Sequence, residues 1–414
     1  MATLNDVTSA DRVHIGFFGV RNAGKSSLIN AVTGQDLAVV SNVAGTTTDP
    51  VRKAMELLPA GPVLIVDTPG IDDEGELGEM RVRKARRVLD STDVAVLAVD
   101  GTRGVTQAER ELVALFAEKQ IPYVVALTKC DIASTEDHHH VARELGMTED
   151  QGRLVATSSQ TGQGIHELKE TIAELAKEPT AEHRIVGDLL EVGDVLVLVC
   201  PIDESAPKGR LILPQQNTIR DIIDEGAMAL VVQHGELAQA LSKLSAPPRM
   251  VITDSQVFGQ VASIVPDSVP LTSFSILMAR HRGTLDAQVD GANELDRMRE
   301  RYEADPNTPP PHILIAEACT HHRQCNDIGT VQLPRMVGEY TGLTPSFDFV
   351  SGNEFPEDLS AYDLVLHCGG CMVNDREMNW RARHAASQGV PLTNYGVAIA
   401  KMKGILDRSL APLY

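Results

Sequence analysis

The sequence predicts an α/β protein of several domains, led by a phosphate-loop nucleotide fold. Three observations carry this. Short apolar runs of strand character alternate with helical patterns along the chain. A glycine-rich segment, Gly19-Val20-Arg21-Asn22-Ala23-Gly24-Lys25-Ser26, stands between the first such run and the first helical pattern. The chain has 414 residues, more than one ordinary core organises, so two or three domains are expected.

Taken in order, His14–Phe18 is a short apolar strand that runs into the glycine-rich loop, and Ser27–Val32 continues as a helix. This strand, loop and helix context is what a phosphate-binding loop requires. Gly19, Asn22, Ala23, Gly24, Lys25, Ser26 and Ser27 form the expected cradle. Glycines let backbone N–H groups close on phosphates, and the helix N-terminus adds positive potential. Lys25 reaches the β- and γ-phosphates, and Ser26 places its hydroxyl on Mg²⁺.

Val63–Val66 is a buried strand ending in Asp67-Thr68-Pro69-Gly70. Asp67 is placed to hold Mg²⁺ through water, and Gly70 to donate its N–H to a γ-phosphate. Between these motifs lies Thr46-Thr47-Thr48. Thr47 is the expected ligand that completes the Mg²⁺ shell when the γ-phosphate is present, which makes the segment a switch.

Tyr123–Leu127 leads into Thr128-Lys129-Cys130-Asp131. Asp131 is placed to accept hydrogen bonds from N1 and the 2-amino group of guanine, which adenine does not offer. Thr128 stands where translation-factor-like GTPases usually carry Asn, so weakened base affinity is expected. Ser158 and Ser159, after the strand Leu154–Ala156, back the base. The series predicts a GTPase domain over residues 1–178 that takes GTP/GDP and Mg²⁺.

This domain resembles the MnmE/Era-like GTPases. Ile71 follows the Asp-Thr-Pro-Gly motif in place of the water-orienting Gln of Ras-like enzymes. Asn22 occupies the loop position where that group holds K⁺, so the resemblance implies a potassium ion acting as an arginine finger does. Slow, cation-stimulated hydrolysis is expected, with Lys25, Asn22 and Thr47 as its catalytic residues.

Glu178-Pro179-Thr180 closes the last helix of this domain. Strand-like runs follow at 195–199, 229–232, 249–252 and 270–274, with helical patterns at 218–223, 236–241 and 256–264. They read as a small parallel α/β unit without a catalytic constellation, and therefore as an assembly surface. Cys200 reads as a buried thiol.

Asn307-Thr308-Pro309-Pro310-Pro311 marks a further boundary. The strand His312–Ala318 ends at Cys319, and the strand Asp363–Leu366 ends at His367-Cys368. Open α/β sheets bind ligands at such carboxyl ends. The order is Cys319-x-His321, a spacer of 45 positions, then His367-Cys368-Gly369-Gly370-Cys371. Three thiolates suit zinc, with one His completing a tetrahedron, or a 4Fe-4S cluster with one iron left for a weaker ligand. Gly369-Gly370 tilts the reading to the cluster, because small residues let backbone approach inorganic sulfide.

Bulk properties bound these readings. The chain is 43% hydrophobic and 23% charged, without low-complexity tracts. No apolar run approaches the roughly 20 residues that span a bilayer. Met1–Asp6 lacks a basic region followed by an apolar one, so a cytoplasmic protein without a membrane partner is expected. The formal charge of −20 works against nucleic acid. Of the cysteines Cys130, Cys200, Cys319, Cys325, Cys368 and Cys371, four lie in the last hundred residues, a clustering that points to metal rather than disulfides.

A Cys-x-His, a spacer of this length and a His-Cys-x-x-Cys behind an N-terminal GTPase together resemble the HydF family, the maturation GTPases of FeFe-hydrogenases, over essentially the whole chain. The resemblance implies a dimerisation domain over 183–265 and an iron-sulfur cluster-binding domain over 266–414. It implies Cys319, Cys368 and Cys371 as 4Fe-4S ligands. His321 and His367 match the motif's histidines, and iron ligation by either is left open; Cys325 lies outside the motif. It further implies a homodimer that carries the two-iron subcluster precursor of the H-cluster, is loaded by two radical-SAM maturases and delivers to apo FeFe-hydrogenase. The competing reading is an MnmE/Era-like RNA-modification or ribosome-assembly GTPase with structural zinc. The acidic charge and the lack of a basic, aromatic-studded C-terminus oppose it.

Overall fold

A computed structural model describes residues 9–35, 50–70, 85–133, 140–141, 143–145, 153–177, 184–202, 211–305, 307–318, 327–352 and 354–414. Thr46, Thr47, Thr48, Ile71, Cys319, His321 and Cys325 lie outside these residues. The chain divides into two units, Met1–Pro179 and Thr180–Tyr414.

Among the described residues the first unit holds six strands: β1 (Val13–Phe18), β2 (Val51–Leu57), β3 (Gly61–Asp67), β4 (Val94–Asp100), β5 (Tyr123–Thr128) and β6 (Arg153–Ala156). Their order is β2-β3-β1-β4-β5-β6, parallel except for the edge hairpin of β2 and β3. β4 and β5 are buried along their whole length, as near-continuous apolar runs covered on both faces should be. Helices α1 (Lys25–Thr33) and α3 (Ile165–Leu175) cover one face, over Ile15, Phe17, Val96 and Val124. Helix α2 (Gln107–Glu118) covers the other, over Phe18, Leu97 and Tyr123. A capping box starts α2: Thr106 Oγ1 accepts from Glu109 N, and Glu109 Oε2 accepts from Thr106 N at 2.7 Å.

The second unit carries two all-parallel sheets. The first has the order β10-β9-β7-β8, from β7 (Val195–Val199), β8 (Met228–Val232), β9 (Met250–Thr253) and β10 (Leu271–Ser273). Its helices are α4 (Leu213–Asp224), α5 (Leu237–Lys243), α6 (Phe258–Ile264) and α7 (Phe274–His281). Cys200 is buried at the end of β7, and burial pushes its thiol up to about 12. β10 pairs with β9, so this sheet runs past residue 265, where the sequence suggested a division.

The second sheet has the order β12-β11-β13-β14, from β11 (His312–Glu317), β12 (Ser346–Ser351), β13 (Leu364–His367) and β14 (Leu392–Asn394). It carries α9 (Leu333–Thr341), α10 (Asp375–Ser387) and α11 (Tyr395–Met402). Helix α8 (Leu285–Ala304) serves both cores: Leu285 and Ala292 pack with the first sheet's cluster, Leu295 and Met298 with the second's. α11 does the same through Val397 and Ala398. Among the described residues no helix is long and apolar enough to cross a membrane.

Candidate functional site

In the first unit, the carboxyl ends of β1, β3, β4 and β5 gather the predicted nucleotide residues. β1 delivers the loop Gly19–Gly24 to the start of α1. Lys25 Nζ donates to Asp67 Oδ1 from the end of β3. Thr68, beside Asp67, is buried and donates its hydroxyl to Phe17 O at 2.7 Å, which pins this turn to β1.

Thr128 ends β5. Its buried hydroxyl donates to Ala23 O at 2.7 Å and lies 3.2 Å from Val99 O. β5 is thereby tied to the phosphate loop by a direct hydrogen bond. Lys129, at φ 60, lays its ammonium on Asp100 Oδ2 at 2.5 Å and on Asn22 O at 3.3 Å. Burial works to raise the Asp100 carboxyl, but bonds from Lys129 and Thr102 bring it below the usual carboxylate range. Asp131 is exposed at the mouth. Cys130 N donates to Thr157 O at 3.1 Å, joining the two base-side loops, and buried Ser158 accepts from Thr161 N at 3.2 Å.

Asp100 was not singled out from sequence. Its signal was available, since a lone carboxylate ends the apolar run of β4.

In the second unit, neighbouring strands β11 and β13 bring Ala318 and the segment from His367 to Cys371 together at their carboxyl ends. Ala316 pairs with His367, and Ala318 N donates to Cys368 Sγ at 3.0 Å. The chain next enters Cys319. Gly370 turns in the left-handed region at φ 65, and a Cβ there would lie 2.4 Å from Met378 Sδ; a Cβ on Gly369 would meet nothing. Gly370 is therefore required by the turn and by Met378. Burial pushes the Cys368 thiol up to about 11 and raises that of Cys371 against the charge of Arg282.

His367 is fully buried with both ring nitrogens engaged. Arg381 Nη1 lies 2.9 Å from Nε2, and Cys368 O lies 2.6 Å from Nδ1. A guanidinium only donates, so Nε2 accepts and Nδ1–H donates. Burial and the Arg381 charge push the imidazole down to about 3. In this arrangement both ring nitrogens are taken, Nδ1 by Cys368 O and Nε2 by Arg381. Arg381, itself buried, also donates to Glu377 Oε1 at 2.5 Å and Gly352 O at 2.8 Å, and its guanidinium sits 5.2 Å from the Phe355 ring centroid. Sequence reasoning missed Arg381, Glu377 and Arg282: the i,i+4 pair Glu377–Arg381 reads locally as an ordinary helix-surface pair, and the other partners of both arginines lie on distant elements.

Among the described residues no three His, Cys, Asp or Glu side chains converge on one point, and Cys319 and His321 are not among those residues. The donor set that is described fits a soft metal: two thiols flank a glycine turn, with a backbone N–H on one sulfur and a buried arginine alongside.

The fold and the first site define a P-loop GTPase domain, followed by parallel α/β domains. The family model described as a 50S ribosome-binding GTPase matches residues 14–129. The hydrogen maturase F dimerization domain matches residues 185–283, and the hydrogen maturase F tetramerization domain residues 304–412. The chain belongs to the hydrogen maturase F (HydF) family, and both of its later domains are of oligomerising type. It is similar to the tRNA modification GTPase MnmE of Desulfotalea psychrophila, 35% identical over 155 residues, covering 37% of this chain and 32% of that protein. It is likewise similar to GTPase Der of Limosilactobacillus reuteri, 27% identical over 175 residues and covering 40% of each. The chain thus spans only a third to two fifths of the length of these curated relatives. A solved structure of a probable GTP-binding protein engB is 26% identical, with a TM-score of 0.34, covering 40% of this chain and all of that one.

Proposed function

We propose that the protein is a GTP-hydrolysing scaffold and carrier that holds a 4Fe-4S cluster and passes the two-iron precursor of the H-cluster to apo FeFe-hydrogenase. Radical-SAM maturases load the precursor, and the working form is a homo-oligomer in the cytoplasm. The GTPase domain takes Mg·GTP on Lys25 and Ser26, with Asp67 and Thr47 completing the metal shell. Lys25 exchanges Asp67 for the β- and γ-phosphates, Gly70 N–H meets the γ-phosphate, and Asp131 reads guanine. Asn22 holds the potassium ion that stimulates a slow turnover.

Cys319, Cys368 and Cys371 hold the cluster, and the cluster supplies an iron with an open position for the cargo. Arg381 and Cys368 O hold the His367 ring beside the loop from Cys368 to Cys371. One observation carries this reading: Cys368 and Cys371 flank the Gly369-Gly370 turn after β13, and Cys368 Sγ accepts the Ala318 N–H from the end of β11.

The test is anaerobic reconstitution of the full chain with iron and sulfide, then activation of an apo-hydrogenase. Cys319→Ser, Cys368→Ser and Cys371→Ser should each lose most of the iron while GTP turnover persists, since a hydroxyl is a far poorer soft-metal ligand. A cysteine variant that loses its iron yet activates hydrogenase fully would end the scaffold reading. A colourless zinc protein would favour the RNA-modification alternative instead.

A further inference from the structure

Arg282 caps the C-terminus of α7. Gly283 follows in the left-handed region at φ 67, and the helix closes through Thr284 N to Ala279 O and Gly283 N to Arg280 O, both at 2.9 Å. This Schellman ending fixes where the Arg282 side chain departs. The residue is only 7% exposed, and it reaches the second sheet of its unit. Nη1 donates to Gly369 O at 2.9 Å and Nη2 lies 3.3 Å from Gly370 O, the two residues between Cys368 and Cys371. Nε donates to Asp375 Oδ1 at 2.7 Å, at the first turn of α10.

A helix of the first sheet thus grips the loop at the end of β13 by two consecutive carbonyls. A planar fork suits this task, whereas an ammonium is a point donor. Charge enters as well. Three thiolates on a 4Fe-4S core leave the site at −1 when oxidised and −2 when reduced, and a partly buried site needs compensation for that charge.

We propose that Arg282 is a positioning residue for the cluster loop: it clamps Gly369 and Gly370, and its positive charge stabilises the reduced cluster. This rests on the cluster reading above. A cation beside a cluster raises its reduction potential, because reduction adds negative charge.

The experiment compares wild type, Arg282→Gln and Arg282→Lys as full chains. It reads iron and sulfide per chain after anaerobic reconstitution, the midpoint potential by EPR-monitored titration, and thermal melting. Arg282→Gln should favour the oxidised cluster about tenfold, a fall of about 59 mV for one electron. Arg282→Lys should recover most of the potential, since it keeps the charge, but should lose iron faster to a chelator, since it lacks the fork. Should Arg282→Gln fail to fold or hold no iron, Arg282→Lys decides: iron held at a near-wild-type potential supports the proposal, and none held overturns it. A wild-type potential and iron retention in Arg282→Gln overturn it while the cluster reading stands. A wild type that takes up no iron and sulfide sinks the cluster reading itself.

Discussion

Replacing Thr128 by Val tests whether one hydroxyl couples base recognition to the phosphate loop. The substitution keeps shape and removes the donor that Ala23 O accepts at 2.7 Å. Thr128 is 3% exposed, so water does not readily take its place. A buried acceptor left unpaired costs about 1–3 kcal/mol. Without nucleotide the loop can shift to hydrate Ala23 O. With phosphates seated the loop is fixed, so the cost falls on binding. At about 1.4 kcal/mol per tenfold, GDP affinity should weaken about 5- to 150-fold. Thr128→Ser, which keeps the hydroxyl, should bind near wild type. The assay is titration with a fluorescent GDP analogue in Mg²⁺, with thermal melting to register any cost to the fold. Binding by Thr128→Val within twofold of wild type, with unchanged melting, would refute the tether.

Three further outcomes follow from the same geometry. GTP turnover should be faster in K⁺ than in Na⁺ at equal ionic strength; equal rates would remove the role given to Asn22. Asp131→Asn should let XTP compete with GTP, because the amide donates where xanthine accepts, and retained GTP selectivity would show that another residue reads the base. Gly370→Ala should lower the melting temperature of the second unit, since a left-handed alanine costs about 1–2 kcal/mol before its contact with Met378 is counted. Gly369→Ala, with open space at its Cβ, should leave melting unchanged, and equal losses in the two would contradict the turn described here.

Much of the frame was legible because it is local. The runs that became β1, β3, β5, β7, β9, β11 and β13 are apolar and bounded, and glycine spacing marks the phosphate loop. The strands not singled out were mostly edges: β2 is largely exposed, β12 mixes polar and aromatic residues with no buried position, and β14 has three residues. Edge strands carry little apolar pattern because one side of each ladder, and often one face, meets solvent.

By itself the sequence determined which residues can do chemistry: the Lys25-Ser26 cradle, Asp67 at a strand end, and the spacing of Cys319, Cys368 and Cys371. Only tertiary structure decided what those residues touch. Thr128 meets Ala23 across 105 positions, Lys129 meets Asn22 across 107, and Arg282 meets Gly369 across 87. The ring of His367 meets Arg381, fourteen positions away on another element. Apolar periodicity states which face of an element is buried, not which other element lies beside it. Sheet order and register make part of that second choice, and the packing of helices makes the rest, as where Arg282 reaches Gly369 and Gly370.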